Sequence, residues 1–274
     1  MQLAIRHDTV YRYDAPVHYS IQQLRLAPLT TPSQIVTQWH VDAPGKLDAS
    51  RDAYGNTLMT LVLSRPHREI RLRVRGEVET VPLAQGRLTE GEGPIPTWHF
   101  TSPTRLTEAD AALTAFAQSL GPLDDAAAML EAAARITEQV RYESGVTDVA
   151  HTAADAFSLG RGVCQDHAHV MLAVCRARGI PARYVSGYFA PGDVPEMASH
   201  AWVDVWLDNG WVTVDVTHAC FASEKYCRIA VGRDYEAAAP VRGRRIGGLG
   251  ETLDVSVKVS AHDAQQQQQQ QQQQ

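Results

Sequence analysis

The sequence lacks an excess of positive charge, and it lacks long apolar runs. Its formal net charge of -6 does not supply the surplus of Lys and Arg that phosphate neutralisation requires, which argues against a nucleic-acid partner. No apolar run reaches the ~20 residues that span a bilayer, and the stretch after Met1 lacks the ~7 to 15 apolar residues of a secretory signal. We therefore expect a cytoplasmic protein without a membrane partner.

Paired cysteines are also missing. The chain contains 4 cysteines, and none of them forms a C-x-x-C pair. A chain of 274 residues is much longer than the small secreted domains that depend on disulfides, so we expect reduced thiols. The nearest metal-like pair, His167 and His169, points to different sides of a predicted helix. The sequence therefore predicts no metal and no other cofactor.

What the sequence does contain is enough apolar side chain for a sizeable core, at 44% hydrophobic residues. Its first part reads as short strands broken by turns, and residues 70–78 alternate apolar and charged positions like a half-buried antiparallel strand. We predict an N-terminal antiparallel β-sandwich over residues 1–84. Residues 85–102 carry Pro, Gly and charge without apolar periodicity, which indicates a linker.

From residue 103 the pattern changes to helices followed by antiparallel strands, which predicts a second α+β domain over residues 103–263. Capping boxes at Thr107 and Thr152 are expected to open the first and third helices. A last strand candidate over residues 253–259 could belong to either sheet. The glutamine run within residues 264–274 cannot bury a core, so we predict a disordered tail.

The fourth predicted helix of this domain begins at Cys164, directly after a glycine-rich turn that includes Gly162. A thiol with pKa ~8.5 is a poor nucleophile at neutral pH unless something favours the thiolate. A helix N-terminus and a neighbouring imidazolium both do so. Gly162 would let a substrate approach the backbone, and the N–H of Cys164 could bind an oxyanion. These features predict that Cys164 is a catalytic nucleophile.

His200 and Asp215 lie on two neighbouring predicted strands, and strand alternation places them on the same face of the sheet. A tight turn at Asn209-Gly210 would place Asp204, rather than His200, opposite Asp215. Direct pairing of His200 with Asp215 requires a wider loop or a bulge before Gly210. We predict that wider offset, with His200 as proton carrier and Asp215 as its orienting carboxylate.

These residues, together with four ordered segments, resemble the bacterial transglutaminase-like proteins of the papain-like cysteine protease superfamily. The matching segments are residues 155–166, 176–188, 199–203 and 210–215. The resemblance implies a transglutaminase-like helix-plus-antiparallel-sheet domain and a Cys164, His200 and Asp215 triad that reacts through a thioester. It implies a protein or peptide substrate, with transamidation or hydrolysis as the outcome. His167 and the Val216-Thr217-His218 segment depart from the usual family pattern.

Three further residues, Gln165, His167 and Trp202, are predicted to line the substrate cleft with Gly162. Asp166 is more typical of a helix N-terminal turn than of catalysis, and the three other cysteines are typical of small buried residues. His151, His169 and His218 are expected to be structural. The alternative to an enzyme is a binding or scaffold protein that keeps this fold without turnover.

Overall fold

The computed structural model describes residues 1–190 and 199–262, so the predicted glutamine tail lies outside the described residues. The helices are α1 (Ala111–Ser119), α2 (Ala126–Gln139), α3 (Ala153–Leu159), α4 (Cys164–Ala177) and α5 (Tyr235–Ala238), with short 3-10 helices at Ala84–Gly86 and Thr97–Thr101. The strands are β1 (Gln2–Leu24), β2 (Gln34–Asp42), β3 (Leu47–Arg51), β4 (Thr57–Leu63), β5 (His67–Thr80), β6 (Arg141–Tyr142), β7 (Arg161–Gly162), β8 (Ala182–Phe189), β9 (Ser199–Leu207), β10 (Gly210–Asp215), β11 (Cys220–Phe221), β12 (Tyr226–Gly232), β13 (Val241–Gly247) and β14 (Thr252–His262).

The first sheet is antiparallel and is organised around the 23-residue strand β1. The first half of β1 pairs with β5 and β14, and its second half pairs with β4 and β13. The two halves pack on one another, because Leu61 of β4 and Ile70 of β5 belong to the same buried cluster. The predicted α+β fold with an N-terminal antiparallel β domain is confirmed. The strands of the N-terminal domain form one curled sheet.

The two last strands join this first sheet, whereas the sequence division placed them in residues 103–263. β14 pairs with β1 from Gln2 to Arg12, and β13 pairs with it from Val17 to Leu24. Pairing between the two ends of a chain leaves no local pattern in the sequence, which is why a division into consecutive ranges separated these strands from their sheet.

The predicted linker, residues 85–102, is packed against the second domain. The N–H of Leu88 donates to the carbonyl of Trp211 at 2.9 Å, and Leu88 and Phe100 are buried. The buried guanidinium of Arg176 donates to the carbonyl of Phe100 at 3.1 Å. Isolated apolar side chains anchor this segment, and a search for apolar periodicity does not detect them.

Helix α4 is the centre of the second domain, with α1, α2 and α3 around it. The predicted capping box of Thr152 is present at the start of α3. The one predicted at Thr107 is wrong, because α1 is capped by Asp110, whose side chain accepts from the N–H of Leu113 at 2.8 Å. In the described ranges no helix is long and apolar enough to cross a membrane.

The second sheet has the strand order β11-β10-β9-β8-β12, and α4 packs across β8 and β9. Two side-chain amides of the first domain cover β12, which is an outer strand of the second sheet. Gln34 exchanges two hydrogen bonds with the backbone of Arg228, at 2.8 and 2.9 Å, and Asn56 exchanges two with Val231, both at 2.8 Å. The first domain therefore closes an otherwise open sheet edge.

Candidate active site

Cys164 is the first residue of α4, and a fixed turn holds it there. The N–H of Val163, which precedes it, donates to a carboxylate oxygen of Asp166 at 2.8 Å, and the hydroxyl of Thr147 donates to the same oxygen at 2.7 Å. A Cβ on Gly162 would lie only 2.7 Å from Asp166. Position 162 therefore requires glycine because Asp166 folds back against it, and the partly exposed thiol starts the helix as predicted.

The strand register differs from both alternatives weighed from the sequence. The turn between β9 and β10 is tight, but it consists of Asp208 and Asn209, with φ angles of 47° and 57°, and Leu207 pairs with Gly210. If the pairing of β9 with β10 is continued by one residue, Asp215 lies diagonally across from His200 on the same face of the sheet. Diagonal neighbours lie within side-chain reach. The predicted wide loop is wrong, and a tight turn brings the two residues together.

The imidazole of His200 joins Asp215 to Cys164. Its Nε2 lies 2.8 Å from Oδ2 of Asp215, and the ring is near enough to Cys164 for the sulfur to favour its charged form. Burial lowers the pKa of His200, but the hydrogen bonds and negative charges of Asp215 and Cys164 outweigh burial and raise the pKa to about 10. The geometry therefore favours an imidazolium beside the sulfur.

Asp215 accepts hydrogen bonds from two residues besides His200. Its Oδ2 accepts from Nδ1 of His218 and from the hydroxyl of Tyr226, each at 2.6 Å. Burial alone would raise the pKa of Asp215, but the hydrogen bonds from His200 and His218 hold it well below its usual range. Asp215 is thus a buried, fully ionised carboxylate that faces His200.

Sequence reasoning expected His218 to be structural and did not consider Tyr226. The separation of three residues between Asp215 and His218 is a local signal of contact, since a turn follows β10 directly. For Tyr226 no such signal exists, because its strand β12 lies at the far edge of the sheet from β10 and β11.

The donor atoms of His200, Asp215 and His218 lie within 4.8 Å of one another, so this group could hold a transition-metal ion. Metal ligands must first lose their protons. In the observed arrangement both imidazoles direct an N–H at the carboxylate. The arrangement is therefore that of a hydrogen-bond network.

The other predicted cleft residues occupy different environments. Gln165 is half-buried, and its Nε2 lies 3.5 Å from the carbonyl of Val149. His167 is buried, with Nδ1 at 3.0 Å from the hydroxyl of Thr217 and Nε2 at 2.8 Å from the carbonyl of Val140. Burial lowers the pKa of His167, so the ring is neutral and has no nitrogen left for a substrate. Gly162 is buried against Asp166.

Trp202 is also buried, and its ring supports that of His200. Its ring stacks on His200 with centroids 6.2 Å apart. On its other side it meets the ring of Tyr226 edge to face at 5.3 Å. In this position Trp202 fixes the orientation of two residues that contact Asp215.

The three remaining cysteines all have raised pKa values. Cys175 and Cys227 are buried, and burial raises the pKa of Cys175 to about 12 and that of Cys227 further still. Burial and the charge of Asp215 also raise the pKa of Cys220. Cys164 is the one thiol of the four that contacts a histidine bound to a carboxylate.

Two family models match the chain. The model described as the transglutaminase-like superfamily matches residues 114–216, a range that contains Cys164, His200 and Asp215. The model described as the bacterial transglutaminase-like N-terminal region matches residues 3–79, which form β1 to β5. The two matches divide the chain much as the two sheets do, apart from the strands β11 to β14, which follow the second match.

Among curated proteins, the uncharacterized protein ML0607 of Mycobacterium leprae is 32% identical, over 94% of this chain and 98% of that protein. A protein-glutamine gamma-glutamyltransferase of Pseudomonas aeruginosa is 36% identical over 107 residues, which cover 34% of this chain and 16% of the enzyme. A crystal structure of a candidate cysteine protease from Cytophaga hutchinsonii superposes with a TM-score of 0.78 at 23% identity, covering 96% of this chain and 91% of that one. That structure has the same fold over nearly the full length.

Proposed function

Because the chain belongs to the bacterial transglutaminase-like family, we propose that it is a cysteine-dependent acyltransferase or peptidase. Cys164 attacks the carbonyl carbon of a peptide bond or of a glutamine carboxamide. The observation that carries this proposal is the imidazole of His200, whose Nε2 lies 2.8 Å from Oδ2 of Asp215 and which interacts with Cys164 at the start of α4. This is the arrangement that activates a nucleophile through an oriented base.

In the first half-reaction, the sulfur of Cys164 forms a bond to the carbonyl carbon, and the oxygen takes up the negative charge. The imidazolium of His200 then gives its Nδ1 proton to the departing nitrogen. The C–N bond breaks, ammonia or an amine leaves, and an acyl-thioester remains on Cys164.

In the second half-reaction, His200 takes a proton from water or from a primary amine, which attacks the carbonyl carbon of the thioester; the C–S bond breaks, and Cys164 leaves as a thiolate beside the imidazolium. Water gives hydrolysis, and an amine gives transamidation. Asp215 stays ionised throughout and stabilises the imidazolium. The N–H of Cys164, in the first turn of α4, lies where it would donate to the oxyanion.

Protein or peptide substrates are favoured by the relatives. The Pseudomonas aeruginosa protein is named for transfer from protein-bound glutamine, and the Cytophaga hutchinsonii protein for cleavage by a cysteine. Both reactions pass through the same thioester, so one active site accommodates either outcome. The acceptor that reaches the thioester decides between them.

The test is to trap this intermediate. The full chain is mixed with a pool of glutamine-containing peptides, quenched in acid and measured by intact-mass spectrometry. We expect an acyl adduct on Cys164 that hydroxylamine removes, and no adduct in Cys164→Ala or His200→Ala. Adding a fluorescent primary amine separates the outcomes, because transamidation labels the peptide and hydrolysis does not. Absence of any adduct, with peptide binding retained in Cys164→Ala, would instead favour a scaffold protein.

A further inference from the structure

A cavity of about 440 Å³ lies at the junction of the two domains, and Cys164, His200 and Asp215 are not among the residues that line it. One wall is β13 of the first sheet, and the opposite wall includes Val149 and Ala150 of the second domain. We call it the arginine cleft, after the four arginines that line it: Arg105, Arg242, Arg244 and Arg245.

The arginine cleft has more positive than negative charge. Its two glutamates pair with Arg105 at 3.3 Å and with Arg245 at 3.2 Å. Arg242 donates only to a main-chain carbonyl, at 3.3 Å, and Arg244 has no ion pair or side-chain hydrogen bond within residues 1–190 and 199–262. Two guanidinium groups are thus left without a carboxylate, in a chain whose net charge is -6.

The wall formed by β13 is a sheet edge. Within the described part of the chain β13 pairs only with β1. The N–H of Arg25 in the partner segment donates to the carbonyl of Pro240 at 2.8 Å. Because the direction of backbone groups alternates along an antiparallel strand, the N–H and C=O groups of Val241 and Gly243 point away from β1. An extended chain could pair with them.

The arginine cleft adjoins the nucleophile. The carbonyl of Val149, in its wall, lies 3.5 Å from Nε2 of Gln165, the residue after Cys164. Tyr235 also lines the cleft, and its ring lies 6.3 Å from that of Tyr184. Tyr184 is buried in the second domain, so the aromatic pair of Tyr235 and Tyr184 joins the cleft to the domain that carries Cys164.

We propose that the arginine cleft binds an extended acidic segment of the polypeptide substrate. The segment pairs its backbone with the free edge of β13, and its carboxylates contact Arg242 and Arg244. Alternate side chains of an extended peptide point the same way, which matches two arginines that are two residues apart on one strand. The proposal rests on the proposed function in one respect, namely that the bound polypeptide continues to Cys164.

The experiment measures binding in the full-length Cys164→Ala chain, so that turnover is not required. The probes are three fluorescent ten-residue peptides with a central glutamine, identical except for Asp, Asn or Lys at alternate positions, and the readout is anisotropy. We expect the Asp peptide to bind about tenfold more tightly than the Lys peptide, and less tightly at high salt. Methylation of every second backbone nitrogen of the Asp peptide should abolish binding for one of the two alternating sets of nitrogens and not for the other.

Charge reversal is the decisive comparison. In R242E/R244E the preference should invert, so that the Lys peptide binds more tightly than the Asp peptide. The matched control is R71E/R73E, which makes the same change in net charge at exposed positions of β5 and should keep the original order. Equal binding of all three peptides would overturn the proposal, as would a preference that survives R242E/R244E; the arginines would then only protect the strand edge from aggregation.

The outcome is separate from that of the catalytic proposal. Selective binding of the Asp peptide by Cys164→Ala, without an adduct on the wild-type chain, would retain the arginine cleft and reject the acyltransferase. An adduct that forms equally with all three peptides would retain the acyltransferase and reject the arginine cleft.

Discussion

Two neighbouring strands each carry a fully buried aspartate, and the two carboxylates differ in their partners. Asp204 of β9 accepts from Arg183 at 2.7 Å and from the guanidinium of Arg228 on both of its oxygens. Asp215 of β10 accepts from two histidines and a tyrosine. Burial would raise the pKa of Asp204, but both arginines together lower it, so both carboxylates are ionised.

The difference between the two sites lies in whether the partner can give up its proton. A guanidinium stays charged at all accessible pH values, so the Asp204 site can only hold the sheet together. An imidazole can release its proton to a reacting atom and take it back. Equal burial therefore gives a fixed ion pair at one aspartate and a partner that can exchange a proton at the other.

The largest expected effect is that of Asp215→Asn on the reaction. The amide cannot stabilise the imidazolium of His200, so thioester formation should fall by about 10³- to 10⁴-fold. The measurement is the rate of adduct formation on Cys164 by mass spectrometry. Asp204→Asn is the matched control, and an equal loss of rate per folded molecule in both variants would remove the distinction between the two sites.

Asp204→Asn should act on stability. It removes the carboxylate that the guanidinium groups of Arg183 and Arg228 share, which costs about 3–5 kcal/mol of unfolding free energy. Urea titration followed by tryptophan fluorescence measures it. A change no larger than that of a surface substitution would mean that water reaches the arginines and that the pair is not structural.

Tyr226→Phe should slow thioester formation about tenfold, because it removes one hydrogen bond to a charged group and keeps the ring. The control is Tyr188→Phe, since the hydroxyl of Tyr188 bonds to His7 of the first domain at 2.7 Å. That variant should lose stability and keep its rate per folded molecule. If Tyr226→Phe behaves in the same way, Tyr226 does not position Asp215.

A smaller loss, of about fivefold, is expected for His218→Ala, because His200 and Tyr226 still hold Asp215. His218→Asn retains an N–H donor and should recover part of that loss. His40→Ala removes another histidine paired with an aspartate, exposed on β2 at 2.9 Å from Asp42, and controls for surface charge. Identical rates for the Ala and Asn variants of His218 would show that its hydrogen bond has no positioning role.

Part of this arrangement was predictable from sequence because its signals are local. The start of α4 at Cys164 could be predicted from the preceding Gly162, a position that has no room for a Cβ atom. The shared face of His200 and Asp215 follows from strand alternation. A cytoplasmic location and a polypeptide partner remain predictions.

The rest depended on choices that local patterns do not decide. Asn209-Gly210 and Asp208-Asn209 both suit a tight turn, so the register of β9 and β10 was ambiguous. The contact of Tyr226 with Asp215 and the pairing of β13 and β14 with β1 are long-range, and they follow from sheet order and not from spacing.

The most direct test of the triad is the rate at which iodoacetamide alkylates Cys164 at pH 6 and at pH 8. The hydrogen bonds and charges around His200 raise its pKa to about 10, so the imidazolium is present beside the sulfur at both pH values. We predict nearly equal rates in the wild-type chain and a drop of about 100-fold from pH 8 to pH 6 in His200→Gln, as for an ordinary thiol. A drop of that size in the wild-type chain would contradict the pairing of Cys164 with His200.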